Sequence, residues 1–140
     1  MGKINHSRVI LGGIIAGILI NILEYLVHDV ILKGQHAETM KGLGRTMPEG
    51  GSTIAVWFVY GFLWAFVAIW LYAAIRPRFG PGPKTAVCAA FTAWFFGPFL
   101  SGIAMWNMTI LPLSPLEMAL ELVAFIIAVL GGAALYREAA

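Results

Sequence analysis

Asn21, Glu24, His28 and Asp29 stand inside one apolar run of this chain, and Glu117 and Glu121 inside another. Carboxylates and imidazole supply the oxygen and nitrogen ligands that suit Zn, Mn or Fe. The Glu24-x-x-x-His28 and Glu117-x-x-x-Glu121 spacings put each pair on adjacent turns of one helix face. A charged group in hydrocarbon costs about 2.5 to 3.5 kcal/mol, so Glu24 and Glu121 must be protonated, paired or metal-bound if their runs lie in a bilayer.

The elements that hold these residues follow from composition. Of 140 residues, 60% are hydrophobic and only 11% charged, too little charge to cover a water-exposed surface. Four apolar runs, Val9 to Leu32, Thr53 to Ile75, Thr85 to Met108 and Pro115 to Tyr136, each reach the ~20 residues that a helix needs to cross a bilayer. They are long and continuous, which excludes the short alternating strands of a β-barrel. The expected fold is therefore all-α: an integral membrane protein whose four transmembrane helices form a single antiparallel bundle with both termini on one side. Lys3 and Arg8 before the first run raise the question of a signal peptide, but no small-x-small cleavage site closes it, so it reads as a retained anchor.

Punctuation supports the boundaries. Gly50 to Ser52 ends an outer loop over 33–52, and Arg76 to Lys84, rich in Pro and Gly, reads as an inner hinge that cannot continue a helix. Ser114-Pro115-Leu116-Glu117 is a capping-box arrangement with proline at the first helical position. Gly97-Pro98 removes a backbone bond inside the third span and predicts a kink. Six Lys/Arg residues (Lys3, Arg8, Arg76, Arg78, Lys84, Arg137) fall on the side of the termini and three (Lys33, Lys41, Arg45) on the other, which predicts cytoplasmic termini in an inner membrane. A net charge of +2 lacks the basic surplus of a nucleic-acid binder. Cys88 alone excludes an internal disulfide, a CxxC pair and a cysteine-based zinc site, and reads as a packing residue.

Projected at ~100° per residue, Gly13, Gly17, Asn21, Glu24 and His28 share one stripe of the first span, and Glu117, Glu121, Ala124, Ala128 and Gly132 share one of the fourth. Glu24 and Glu121 lie at about the same depth, and so do His28 and Glu117. Antiparallel pairing of these spans brings the three carboxylates and the imidazole together, with Gly13 and Gly17 against Ala128 and Gly132 permitting close approach. Asn21, Tyr60, Trp106 and Asn107 are placed to line or support this site, and Trp57 and Trp64 to cover it. Each residue also has a structural reading: Glu117 as a capping glutamate, His28 as an interfacial histidine, Asn21 as interhelical glue, Asp29 in interfacial water, and the aromatics as belt anchors.

Three functions compete. The leading one is ion or metal binding by Glu24, His28, Glu121 and Glu117, with Zn, Mn or Fe the expected divalent metals, although the spacing is not the E-x-x-H of carboxylate-bridged di-iron bundles. Copper ranks behind them; it would draw on Met40, Met47, Met105, Met108 and Met118 with His28 and His36, yet methionine is ordinary filler near interfaces. The second is proton-coupled transport by an oligomer. In size, four helices and a glutamate in the first span the chain is similar to small multidrug transporters, but its glutamate lies in the outer half of the span and further carboxylates occupy the fourth. The third is an accessory or scaffold subunit of a larger membrane complex, with His28 available to ligate a haem or pigment; a single spanning histidine excludes a bis-histidine haem within one chain. The layout, with a glycine-rich first helix ending in Asn, Glu and His and a Pro/Gly hinge between spans two and three, resembles the small uncharacterised four-helix proteins of bacterial inner membranes, a resemblance that implies no activity. The sequence names no reaction, and a binding or transport role is expected ahead of an enzymatic one.

Overall fold

The computed structural model describes residues 4–46 and 50–138, so Lys3 and Met47 lie outside the described residues. Every element among the described residues is helical. Four helices are long and apolar enough to cross a membrane: α1 (His6–Ile31), α3 (Gly51–Phe79), α4 (Pro83–Asn107) and α5 (Pro115–Ala133). A shorter helix, α2 (Lys33–Gly42), lies between α1 and α3.

Helix ends follow local chemistry. Asn5 caps α1 by accepting from the Arg8 amide at 3.2 Å, and Ser114 caps α5 by accepting from the Glu117 amide at 3.3 Å. A side-chain oxygen at this position satisfies one of the amides that a helix start leaves without a partner. The segment expected as loop over 33–52 contains α2 because Lys33, Gln35, Ala37, Glu38, Met40 and Lys41 are good helix formers. It ends in a Schellman motif, with Gly44 at φ 64° and the Arg45 amide donating to the Met40 carbonyl at 2.9 Å, an arrangement that needs a left-handed residue and so favours glycine. The inner hinge is shorter than expected. Helix α3 runs through Pro77 to Phe79, since proline's fixed φ suits a helix and only one amide is lost there, and the turn to α4 is confined to Gly80, Pro81 and Gly82. Likewise α5 stops at Ala133 rather than at Tyr136.

Two stretches depart from α-winding. Leu26–Ile31 closes α1 as a π-helix, with the Leu32 amide donating to the Val27 carbonyl at 2.8 Å. Phe95–Phe99 is π-wound around Gly97-Pro98, where the sequence predicts the break.

Packing uses small residues. Ala16, Ala68, Ala89, Ala90 and Ala128 are essentially inaccessible, and they surround Ile69 and Val129. Without a hydrophobic drive between helices in lipid, such residues let backbones approach and gain dispersion contacts. The outer faces carry Ile14, Ile18, Ile22, Leu63, Val67, Trp70 and Phe96, all exposed. In water this belt would be an aggregation surface; hydrocarbon solvates it.

Helix α1 packs on α3 and on α5. Helix α1 meets α5 backbone to backbone at Gly12 and Gly132, where a Cβ on Gly12 would lie 2.7 Å from the Gly132 carbonyl oxygen. Gly13 and Gly17, expected against Ala128 and Gly132, instead receive the rings of Phe66 and Phe62 of α3. One residue is ~100° of helix, so Gly12 and Gly13 serve different neighbours.

Candidate metal centre

The π-wound end of α1, the start of α5 and the middle of α2 meet at one end of the bundle. His28 projects from the π-turn, a winding that recurs at functional sites because it displaces side chains from their α-helical positions. Its Nε2 lies 2.9 Å from Glu24 Oε2 and 3.5 Å from Glu121 Oε1, and its Nδ1 lies 3.6 Å from Glu117 Oε1. The four residues singled out by spacing are therefore brought together by the α1/α5 contact.

A fifth member comes from α2. His36 Nε2 lies 3.2 Å from Glu117 Oε1, and the rings of His28 and His36 stack with centroids 5.3 Å apart. The residues form two overlapping triads, Glu24/His28/Glu121 and His28/His36/Glu117, each with ligand atoms within 4.8 Å of one another. With its segment expected as loop, His36 enters the sequence reading only as a copper ligand. The signal for it is present all the same: Leu32, His36, Thr39 and Met40 recur at i, i+4, i+7 and i+8, and these residues turn away from solvent.

The carboxylates are only partly satisfied. Glu121 is buried at 9% exposure, and its Oε2, like Glu24 Oε1, is enclosed without a hydrogen-bond partner. A buried carboxylate oxygen without a donor is costly unless a cation or proton meets it. Glu117 combines two roles: its amide is capped by Ser114 while its carboxylate faces the histidines. Ser114 Oγ also accepts from Gln35 Nε2 at 2.8 Å, a second tie of α2 to the start of α5.

Other expected lining residues lie elsewhere. Asn21 donates from Nδ2 to the Gly17 carbonyl at 2.8 Å and to the Phe58 carbonyl at 3.3 Å, and its side chain fills the space over Gly61. It is glue between α1 and α3. Tyr60 packs edge-on against Trp57 and Trp64 along α3, and Trp106 and Asn107 are exposed at the end of α4. Trp106 borders an open groove of about 370 Å³ with Thr39, Leu43 and Thr109. Asp29 is exposed beside the cluster. Of the methionines expected around a copper, Met105 and Met108 are exposed, Met118 packs on the core, Met40 is half-buried on α2 one turn from His36, and Met47 lies outside the described residues; the groups measured against His28 are carboxylates and an imidazole.

Below the cluster the α1/α5 seam is closed by Ile20, Ala16, Ala124 and Ala128, all buried, and then by the Gly12–Gly132 contact. No family model, curated protein or solved structure matches the chain.

Proposed function

We propose that this chain is a multi-pass protein of an inner membrane, an antiparallel four-helix bundle with both termini cytoplasmic, whose outward-facing Glu24/His28/Glu121 set binds a divalent transition metal. The observation that carries the reading is the pair of enclosed, unpartnered oxygens, Glu24 Oε1 and Glu121 Oε2, on carboxylates whose other oxygens lie 2.9 and 3.5 Å from His28 Nε2. Two carboxylates neutralise a dication, and the mixed oxygen/nitrogen donors fit Zn, Mn or Fe. Glu117 stands on the Nδ1 side of His28, where metal-bound histidines commonly donate their second N–H to a carboxylate. Three protein ligands leave a coordination position free, the arrangement of an exchangeable ion rather than a closed structural site. The lysine and arginine bias supports the membrane orientation. The Asn5 amide donates to the Tyr136 hydroxyl at 3.2 Å and joins the two ends of the chain, which supports termini on one side.

The test is metal content of the full chain purified from membranes in mild detergent, wild type beside His28→Ala and an Asp29→Asn control. About one ion per wild-type chain is expected, with loss in His28→Ala and none in Asp29→Asn. Metal-free wild type, or a metal content indifferent to His28, contradicts the proposal.

A second reading, proton-coupled transport, is favoured by the 2.9 Å Glu24–His28 contact, which can hold a proton without any ion. The closed apolar seam below the cluster denies it a path through one chain, so it requires a homo-oligomer. Substrate-induced proton release that disappears in Glu24→Gln supports this reading, and a monomer in mild detergent or native nanodiscs opposes it.

A further inference from the structure

Two triads share one imidazole, and the geometry of that sharing carries a further step, which rests on the metal-binding reading above. We infer that the site has two alternating stations for one divalent cation: an inner one of Glu24, His28 Nε2 and Glu121, and an outer one of Glu117, His36 and His28 Nδ1.

His28 presents its two nitrogens to different sets, Nε2 to Glu24 and Glu121 and Nδ1 to Glu117. A neutral imidazole has one lone pair and one N–H, so it ligates through one nitrogen at a time. With an ion in the inner station, Nδ1 carries the proton and donates toward Glu117. With an ion in the outer station, Nε2 carries it and donates to Glu24, already 2.9 Å away. Either way the carboxylate of the vacant station orients the ring for the occupied one, the usual carboxylate–histidine–metal relation used in both directions. The two placements exclude each other, because both cannot take the same lone pair.

Position distinguishes the stations. Glu24 and Glu121 lie one helical turn nearer the Gly12–Gly132 seam than His28 and Glu117, and Glu121 is the most enclosed ligand, its side chain 12% exposed and one oxygen unpartnered; Glu24, at 25%, is as open as His36 and Glu117 at 20% and 21%, so depth along the helices and the burial of Glu121 define the inner station. His36 sits on α2, which joins the bundle through the histidine contact and the Gln35–Ser114 hydrogen bond. A cation from the outer side therefore meets His36 and Glu117 and reaches Glu121 as His28 exchanges its coordinating nitrogen, Nε2 giving its proton to water and Nδ1 taking one from water, which the 32% exposure of the side chain admits. The closed seam beneath makes the inner station the end of that path within one chain.

The experiment is Co²⁺ titration of the full chain in detergent, with stoichiometry from dialysis and the number of bound imidazoles from X-ray absorption. Wild type is expected to bind about one Co²⁺ with a single imidazole, and Glu121→Gln about one, at least ~10-fold more weakly, with two imidazoles. His36→Ala keeps the single-imidazole site, and Glu121→Gln/His36→Ala loses binding. Circular dichroism confirms that the variants remain helical, and Glu117→Gln/Glu121→Gln repeats the double removal without touching a histidine. Wild type that binds no Co²⁺ defeats both this inference and the metal reading. Wild type that binds Co²⁺ while Glu121→Gln binds none, or binds with one imidazole, defeats the alternating stations alone.

Discussion

His36 Nε2 lies 3.2 Å from Glu117 Oε1 across 81 residues of sequence, tying a helix of the connecting segment to the first turn of α5. Beside the Gln35–Ser114 hydrogen bond, this contact holds α2 against the bundle and places a second imidazole at the cluster. His36→Ala should therefore loosen α2 while leaving the four long helices intact. Amide hydrogen exchange is expected to quicken over 36–43, and the loss of global stability to stay near one hydrogen bond, about 0.5 to 1.5 kcal/mol. Unchanged protection over α2 would contradict the contact.

The Gly12–Gly132 contact gives a packing prediction. A Cβ on Gly12 would stand 2.7 Å from the Gly132 carbonyl oxygen and 3.1 Å from Ile69, so Gly12→Val forces α1 and α5 apart. Overpacking of this kind costs about 1 to 3 kcal/mol. Gly34→Ala on α2 has open space around the new methyl. It should be stabilising by up to about 1 kcal/mol through helix propensity alone. Thermal unfolding in one detergent compares the pair, and equal effects would refute the close seam.

Thr109 closes α4 in the left-handed region at φ 56°, with the Ile110 amide donating to the Met105 carbonyl at 2.9 Å in a Schellman arrangement. A β-branched residue there is strained by roughly 1 to 2 kcal/mol. Thr109→Gly is expected to raise stability by about 0.5 to 1 kcal/mol after its larger unfolded-state entropy is deducted, measured as a higher melting temperature. A lower one would contradict the strained turn.

Metal removal should reach the fold as well as the site. An ion that binds only the folded chain stabilises it by about 2.7 kcal/mol at a hundredfold excess over its dissociation constant. Chelation is expected to lower the melting temperature of wild type but not of His28→Ala. An equal drop in both would place the ion elsewhere.

Much of this was legible in the sequence because hydrocarbon narrows the possibilities. Long apolar runs can only be helices, and the few acids within them stand out, so depth alone pairs Glu24 with Glu121 and His28 with Glu117. Finer features were hidden for identifiable reasons. Helix α2 is short and polar, so the expectation of an outer loop masked its stripe and with it His36. The π-turn at Leu26–Ile31 breaks the even projection on which the stripes were drawn. Asn21, Gly13 and Gly17 lie on the α3 side, because a projection fixes which residues share a face but not which neighbour that face meets. Pro77 was a stronger breaker in sequence than in the folded helix end.

A metal held between α1 and α5 by glutamate and histidine has a direct spectroscopic readout, zinc K-edge absorption on the zinc-loaded full chain. An all-light-atom shell at about 2.0 to 2.2 Å is expected, with a scattering signature of imidazole that is absent from His28→Ala. A sulfur shell at about 2.3 Å, or a spectrum that His28→Ala leaves unchanged, would contradict it.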